Sequence, residues 1–343
     1  MKNVSGLAAT AQALVAPGKG ILAADESFPT IGKRFAALGV AATAENRRAY
    51  REVLFRTAAL GESISGAILF DETLRQRTGS GDATLTELLV RQGIIPGIKV
   101  DTGTGPLPGS PHEKITGGLE ALPVRLTAYA ALGARFTKWR AVLAITPDGQ
   151  PSRACLDANA AALADFAAFS QAAGLVPIVE PEVLLAGRHS LARSEDVAVA
   201  VLDAVFRALA AKQVSLPGLL LKTGMVLPGA EAPGSVTTAD IAAATWRVLR
   251  RTVPAAVPGI VFLSGGQPEI AATERLNALC ATHDLPWTLS FSFGRALQDT
   301  ALKTWRGEAA NTAAAQAALL HRARCNALAV QGKYSAAAES AAA

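Results

Sequence analysis

Charged residues end several apolar segments of this chain, where a charge is costly unless it is paired or functional. Lys222 closes the run Pro217-Gly-Leu-Leu-Leu-Lys222. Removal from water and a neighbouring cation both disfavour the charged form of a lysine, which leaves a neutral amine that can attack a carbonyl carbon. Lys222 is therefore a candidate nucleophile, although a single lysine there could equally mark a strand end and reach solvent.

Three further apolar runs carry charges at the same kind of position. Lys99 ends one run, Lys138 and Arg140 lie in a second, and Glu180 and Glu182 end a third. Strand side chains alternate between faces, so Lys138 shares a face with Arg140, and Glu180 shares a face with Glu182. The repetition favours one common polar site over four unrelated strand ends.

The elements that must position these residues form a repeating pattern of short apolar strands and helices. Such alternation indicates a parallel sheet, and eight repeats in one domain predict a (β/α)8 barrel rather than an open doubly wound sheet. Predicted helices include 43–60, 159–173, 194–212, 238–252 and 269–280. The predicted strands are Ile21–Asp25, Gly66–Phe70, Ile95–Val100, Phe136–Leu143, Val176–Glu180, Gly218–Lys222, Gly259–Ser264 and Trp287–Ser292.

The active site of such a barrel lies at the carboxyl ends of its strands. The residues expected there are all charged or carry a hydroxyl group. They are Asp25, Asp71, Lys99, Lys138, Arg140, Glu180, Glu182, Lys222, Ser264 and Ser292.

Two lysines and two carboxylates in one pocket can perform retro-aldol chemistry. Lys222 would form an iminium with a ketone, and the positive charge of Lys138 would favour the neutral amine of Lys222. Glu180 would move protons during carbinolamine formation and dehydration. Because the iminium accepts electrons, the carbon–carbon bond beyond the α-carbon can break. Asp25 would take the proton from the hydroxyl whose carbon becomes an aldehyde.

Phosphate-binding signals follow the last two predicted strands. Ser264, Gly265 and Gly266 form a turn whose backbone N–H groups can surround an anion, as many barrels do after strands seven and eight. Gly294 and Arg295 add a guanidinium after strand eight. Ser-Gly-Gly alone would be no better than an ordinary turn, but the two segments together favour a phosphate site. A second phosphate could bind near Ser27 and Thr30.

The chain resembles the class I (Schiff-base) fructose-bisphosphate aldolases. Matching strings occur in the family's order over residues 18–334, nearly the whole chain. They include Gly18-Lys-Gly-Ile-Leu-Ala-Ala-Asp-Glu-Ser27, Glu45-Asn-Arg-Arg48, Gly97-Ile-Lys-Val-Asp101, Lys138-Trp-Arg140, Ile178-Val-Glu-Pro-Glu182, Leu220-Leu-Lys222, Phe262-Leu-Ser-Gly-Gly-Gln267, Gly294-Arg-Ala-Leu297 and Gln331-Gly-Lys-Tyr334.

This resemblance implies a barrel without metal or organic cofactor, sugar-phosphate substrates and a homotetramer. It implies that Lys222 is the Schiff-base lysine and Glu180 the acid/base group, with Glu182 in support. Lys138 would tune the charge around the imine, and Asp25 would act on the carbon-4 hydroxyl. Lys99 and Arg140 would position the substrate, and Ser27 would bind the carbon-6 phosphate. The carbon-1 phosphate would be bound by Ser264, Gly265, Gly266, Gly294 and Arg295.

The sequence departs from the family pattern at four places. The segment after Asp101 reads Thr102-Gly-Thr-Gly-Pro106, where the family has basic and apolar residues. After Lys222 the chain reads Thr-Gly-Met-Val instead of Pro-Asn-Met-Val, and Ser27-Phe-Pro-Thr30 replaces a stretch of small residues. Fructose 1,6-bisphosphate is the expected substrate because both phosphate sites have recognisable residues, and fructose 1-phosphate and sedoheptulose 1,7-bisphosphate, which share its cleavage geometry, are the alternatives. The chain ends in alanines, and Tyr334 belongs to an earlier motif, so no terminal tyrosine is assigned a role.

Two other classes of function are disfavoured. A metal-dependent aldolase would need clustered histidines, whereas His112, His189, His283 and His321 are scattered and none lies at a predicted strand end. A pyridoxal-phosphate barrel would also use a lysine and a phosphate site, but the lysine pair with Glu180 fits sugar chemistry better. A non-catalytic scaffold on the same fold remains the alternative of a different kind.

Composition sets the remaining expectations. The net charge of +5 is modest, and the basic cluster 247–251 is interpreted as a solvated helix face, so no nucleic-acid partner is expected. The three cysteines show no metal or disulfide spacing, which favours the cytoplasm, and no segment is long enough to span a membrane. We expect one barrel domain, 1–330, and a flexible alanine-rich tail, 331–343.

Overall fold

The computed structural model describes residues 4–281 and 285–340 and has a closed barrel of eight parallel strands at its centre. Strands are numbered in chain order, and β4 and β5 lie outside the barrel. Around the barrel the order is β1, β2, β3, β6, β7, β8, β9 and β10, and β10 pairs with β1. The predicted (β/α)8 barrel is confirmed, and each predicted strand matches an observed one. The barrel strands are β1 (Gly20–Ala24), β2 (Ile64–Leu69), β3 (Ile95–Lys99), β6 (Phe136–Leu143), β7 (Val176–Val183), β8 (Leu220–Thr223), β9 (Gly259–Phe262) and β10 (Thr288–Phe293).

Helices alternate with these strands and cover the outside of the barrel. Several begin at a side-chain cap, as in α9, where Thr237 and Asp240 form a capping box. Short 3₁₀ turns span Leu60–Glu62, Leu216–Gly218 and Ala309–Asn311. The helices α1 to α13 are Val4–Leu14, Phe28–Ala36, Ala44–Phe55, Asp71–Arg75, Leu85–Val90, Leu122–Ala131, Arg153–Ala172, Leu191–Ala211, Thr238–Thr252, Glu269–Cys280, Arg295–Trp305, Thr312–Val330 and Ala336–Ser340.

The barrel interior is apolar towards the amino ends of its strands. There Leu7, Ala11 and Leu14 of α1 pack with inward-facing side chains such as Phe136 in one buried cluster. Space is tight at this level, since a Cβ on Gly97 would lie 2.3 Å from the Phe136 ring. Helix α1 therefore closes one end of the barrel, and polar groups are left to collect at the other end.

A two-stranded antiparallel hairpin, not predicted from the sequence, follows β3. Its strands are β4, Thr104–Leu107, and β5, Ser110–Thr116. The Thr116 hydroxyl donates a hydrogen bond of 2.7 Å to the carbonyl oxygen of Arg140 in β6. The hairpin is thus fastened to the strand that carries Lys138 and Arg140.

The C-terminal segment contains the short helix α13, which lies against α12. The Glu339 carboxylate of α13 pairs with the Arg322 guanidinium of α12. The predicted mobility of 331–343 and the domain limits stay predictions, and residues 341–343 lie outside the described part. No helix within 4–281 or 285–340 is both long and apolar enough to cross a membrane.

Candidate active site

Four charged side chains from four different strands form one buried network, here called the inner quartet: Asp25, Lys138, Glu180 and Lys222. The Lys222 side-chain nitrogen lies 3.1 Å from Oε1 of Glu180, whose Oε2 lies 3.0 Å from the Lys138 nitrogen. Lys138 in turn lies 2.7 Å from Oδ2 of Asp25. Lys138, Glu180 and Lys222 are each only 3% exposed, so the predicted common polar site exists at this end of the barrel.

The strand register explains why these residues meet. Ile178 and Val179 of β7 pair with Leu220 and Leu221 of β8, so the next residues along the two strands, Glu180 and Lys222, come side by side. Side chains alternate between the two faces of a strand. Leu221, just before Lys222, therefore points outward, whereas Glu180 and Lys222 point into the barrel.

Burial and mutual attraction fix the charge states of three members of the quartet. Burial acts to raise the pKa of Asp25, but the charges of Lys138 and Lys222 outweigh it and lower that pKa to about 2. Burial also acts against the Glu180 carboxylate, yet Lys138 and Lys222 hold its pKa below the usual value. The pKa of Lys138 is raised, because Asp25 and Glu180 outweigh the effect of burial.

Glu180 occupies the position between the two lysines. Each of its carboxylate oxygens faces the side-chain nitrogen of one lysine. The carboxylate stands within hydrogen-bond distance of the Lys222 nitrogen, where it can accept or return a proton.

Two further ion pairs lie on the neighbouring strands. Nε of Arg140 is 2.5 Å from Oε2 of Glu182, and the Lys99 nitrogen is 2.6 Å from Oδ1 of Asp101. Asp101 is 8% exposed, and its Oδ2 also accepts a hydrogen bond from the backbone N–H of Arg140 at 3.3 Å. Sequence analysis gave Asp101 no role, although it stands two residues after Lys99 at the end of the same strand.

The segments after β9 and β10 have the backbone conformation that an anion site needs. Gly265 and Gly266 have φ values of +56° and +98°, which favour glycine. A Cβ on Gly266 would lie 3.3 Å from Nη2 of Arg295, so the guanidinium stands beside this turn. Gly294 precedes the first residue of α11, and Ser264 is buried. The structure therefore brings together all five residues predicted for the first phosphate.

The hydroxyls predicted for a second phosphate lie at the start of α2. Oγ of Ser27 and Oγ1 of Thr30 are 3.2 Å apart. Glu26, just before them, is held by Arg34 at 2.5 Å and by Arg51 at 2.6 Å. Sequence analysis missed this support, which fixes the turn that directly follows Asp25.

Other predicted strand-end residues do not join the inner quartet. Asp71 begins α4, pairs with Arg75 at 3.0 Å and has a side chain that is 45% exposed. The Ser292 hydroxyl is buried without a hydrogen-bond partner among the described residues. Of the histidines, His112 lies on β5 of the hairpin, His189 lies just before α8 and His321 lies on α12, while His283 falls outside the described residues.

Comparison with known proteins decides the family. A family model described as fructose-bisphosphate aldolase class-I matches residues 6–343. The chain belongs to the class I fructose-bisphosphate aldolase family. A probable fructose-bisphosphate aldolase class 1 of Xylella fastidiosa (strain Temecula1 / ATCC 700964) is 50% identical over 333 residues, covering 97% of this chain and 99% of its own length.

Other relatives of this aldolase are equally similar. Fructose-bisphosphate aldolase of Dictyostelium discoideum is 50% identical over 335 residues, with 97% of this chain and 94% of that protein covered. The crystal structure of fructose-bisphosphate aldolase from Plasmodium falciparum superposes with a TM-score of 0.95 and 49% identity, covering 96% of this chain and 95% of that one. The predicted family, barrel and lyase activity are confirmed.

Proposed function

We propose that this aldolase acts through Lys222, whose amine forms a Schiff base with the ketone carbon of fructose 1,6-bisphosphate. The reversible cleavage gives dihydroxyacetone phosphate and glyceraldehyde 3-phosphate and belongs to glycolysis and gluconeogenesis. The observation that carries the assignment is the buried contact of 3.1 Å between Lys222 and Glu180. A lysine held beside a proton-accepting carboxylate, in a site closed to bulk water, is what iminium formation needs.

The first half of the reaction joins Lys222 to the substrate. Glu180 takes a proton from the attacking amine and returns one to the carbinolamine oxygen, which leaves as water. Lys138 stays charged throughout, as its raised pKa requires, and keeps the Glu180 carboxylate in place at 3.0 Å. Glu182 takes a supporting part by fixing the guanidinium of Arg140, which lies beside the reacting carbons in this proposal.

The second half breaks the bond between carbons 3 and 4. Asp25 removes the proton from the carbon-4 hydroxyl, the bonding electrons move into the iminium, and the aldehyde leaves. With a pKa near 2 in the free enzyme, Asp25 is a weak base while Lys138 holds it at 2.7 Å. A substrate hydroxyl that enters between these two groups would weaken that contact and make the carboxylate more basic.

The two phosphates distinguish the candidate substrates. Ser264, the glycines of the turn after β9, Gly294 and Arg295 would bind the carbon-1 phosphate through backbone N–H groups and a guanidinium. Lys99 and Arg140 would position the sugar, and Ser27 would contact the carbon-6 phosphate. The hydroxyl pair of Ser27 and Thr30 favours a bisphosphate, while fructose 1-phosphate and sedoheptulose 1,7-bisphosphate are the related substrates to compare.

Cytoplasmic location and a homotetramer are further parts of the proposal. The family membership supports the tetramer, and analytical ultracentrifugation would measure it. A location in the cytoplasm is consistent with three free thiols, but a relative from Arabidopsis thaliana, 50% identical, is named chloroplastic. Fractionation of the source cells would decide the location. No metal or organic cofactor enters the proposed reaction.

The deciding experiment is borohydride trapping. The protein is incubated with dihydroxyacetone phosphate in the presence of EDTA and reduced, and the added mass is located by peptide mass spectrometry. We expect one adduct, on Lys222. The Lys222→Arg variant should form none and should lose roughly 10⁴-fold or more in kcat.

A matched control uses a lysine from another part of the barrel. Lys212→Arg changes a lysine that pairs with Asp165 on the outside, and it should leave trapping and activity unchanged. An adduct on Lys138 instead of Lys222, or activity that EDTA abolishes, would overturn the proposed mechanism. Steady-state rates with the three sugar phosphates would then rank the substrates.

A further inference from the structure

A second cluster of potential ligands lies outside the barrel, where α13 packs against α12. His321 and Cys325 are one helical turn apart on α12 and therefore face the same way. Glu339 of α13 meets them from the opposite side, with Oε2 3.5 Å from Nε2 of His321. We call His321, Cys325 and Glu339 the C-terminal cluster.

We propose that the C-terminal cluster binds one Zn²⁺ ion, with Nε2 of His321, Sγ of Cys325 and a carboxylate oxygen of Glu339 as ligands. Imidazole, thiolate and carboxylate are the groups that bind zinc in proteins, and water would complete a four-coordinate site. The site lies apart from the inner quartet and has no part in the aldol reaction.

The spacing of the ligand atoms fits this ion. Bonds of about 2.0–2.3 Å with tetrahedral angles put neighbouring ligand atoms about 3.3–3.7 Å apart. Sγ of Cys325 lies 3.6 Å from Nε2 of His321, and the latter lies 3.5 Å from Oε2 of Glu339. One atom from each of the three residues lies within 4.8 Å of both others. A small shift of α13 would complete the geometry.

The surroundings hold Glu339 in a suitable orientation. The Arg322 guanidinium and the Tyr334 hydroxyl both bind Oε1 of Glu339, which leaves Oε2 directed towards His321. Arg322 is 3% exposed and is the positive charge nearest the site. Its repulsion of a metal is opposed by two anionic ligands, the thiolate and the carboxylate.

Cys325 is buried where α13 packs on α12. The residue is 1% exposed, and its Sγ lies 3.7 Å from the carbonyl oxygen of Ala338, so α13 covers it. A bound Zn²⁺ would replace the thiol proton, and the buried sulfur would then carry a charge that is paired.

A metal at this position would connect residues from two helices. The ligands come from α12, which packs on α10 and α11, and from α13, near the end of the chain. Because a ligand that binds only the folded form stabilises it, zinc would hold α13 against α12. The consequence is a C-terminal segment whose docking, already supported by the pair of Arg322 and Glu339, is strengthened by metal.

The test measures metal binding by the full-length protein after dialysis against a chelator. Zn²⁺ is titrated by calorimetry, and Co²⁺ is added as a spectroscopic substitute. We expect one ion per chain and, with Co²⁺, the absorption band of a thiolate–cobalt bond. Glu339→Gln and Cys325→Ser should each weaken binding at least about tenfold, and Cys325→Ser should abolish the thiolate band.

The matched control is Cys155→Ser, since Cys155 is equally buried but lies on α7 beside Asn159. It should bind metal as the unmodified protein does. Glu339 lies in the last turn of a short helix, so Glu339→Gln keeps the test valid if Cys325→Ser fails to fold. Absence of saturable binding, absence of the thiolate band, or unchanged affinity in Glu339→Gln would each overturn the proposal. Borohydride trapping on Lys222 is independent of all three results.

Discussion

Two networks of alternating charges in this molecule are built from similar groups but differ in their access to water. The inner quartet joins two lysines and two carboxylates at the end of the barrel, with side chains that are 4% exposed for Lys138, Glu180 and Lys222. The outer network lies on α3 and consists of Glu45, Arg48, Glu52 and Arg56.

The outer network has more access to water than the inner quartet. The Glu45 and Arg56 side chains are 71% and 39% exposed, and those of Arg48 and Glu52 are each 17% exposed. Water screens the charges of this network, so each pair contributes little and its partners can be exchanged. In the inner quartet the same attractions act in a less polar environment and fix which groups carry protons. Burial, more than the choice of residues, separates a chemical site from a surface ion-pair network.

The largest expected difference between the networks concerns activity. Glu180→Gln keeps the shape of the side chain but removes its ability to exchange protons with Lys222. We expect kcat to fall about 10²–10⁴-fold, while the matched surface change Glu52→Gln leaves kcat unaltered. Steady-state kinetics with fructose 1,6-bisphosphate measure both variants. If the Glu180 variant kept activity within a few-fold of the unmodified protein, its assigned role would be wrong.

A smaller difference concerns acid stability. The pKa of Asp25 is lowered from its ordinary value of 3.8 to about 2 in the folded protein, so the folded state favours the charged form. This contribution is fully present above about pH 4 and is lost as the pH falls towards 2. It amounts to about 2 kcal/mol of unfolding free energy.

Denaturant titrations of the unmodified protein and of Asp25→Asn at several pH values would test this. The gap in unfolding free energy between the two proteins should narrow as the pH falls from about 4 towards 2. Curves that stay parallel over that range would mean that Asp25 is not held ionised by Lys138 and Lys222. The pKa values of Glu45 and Glu52 in the outer network are lowered as well, but these acids are closer to water than Asp25, so we expect a smaller effect of pH on stability there.

The smallest effect is expected in the outer network itself. Arg48→Met removes pairs with Glu45 and Glu52 while retaining the length of the apolar side chain. We expect a loss of less than about 1 kcal/mol in the free energy of unfolding and no change in kcat. Urea unfolding and steady-state kinetics would measure this. A loss of several kcal/mol would show that exposure does not distinguish the two networks as argued.

Much of the fold could be predicted because the barrel strands are buried on both faces and leave continuous apolar runs in the sequence. Val176–Val183 and Gly259–Phe262 are of this kind. The hairpin of β4 and β5 could not be predicted in the same way, since most of its residues face solvent and alternate without a clear apolar side.

The members of the candidate site could also be predicted, but their pairing could not. Each charged residue is recognisable because it ends an apolar run, as Lys222 does. Which lysine meets which carboxylate depends on strand register and barrel curvature, which no short segment records. Asp71 illustrates the limit, because it follows its strand like Asp25 but begins a helix and turns to the surface. Asp101 shows the opposite case. The sequence motif that ends at Asp101 was recognised, but sequence analysis assigned no role to this residue, which the structure shows to be a buried partner of Lys99.

The shared contact of Glu180 with two lysines has a consequence for electroneutrality during the proposed reaction. An iminium on Lys222 carries one positive charge, and it lies beside the carboxylate of Glu180. When the carbon–carbon bond breaks, that charge disappears as the neutral enamine forms, and Asp25 loses its negative charge by accepting the hydroxyl proton. Positive and negative charges thus vanish together, so the buried pocket holds no unbalanced ion at any of these stages.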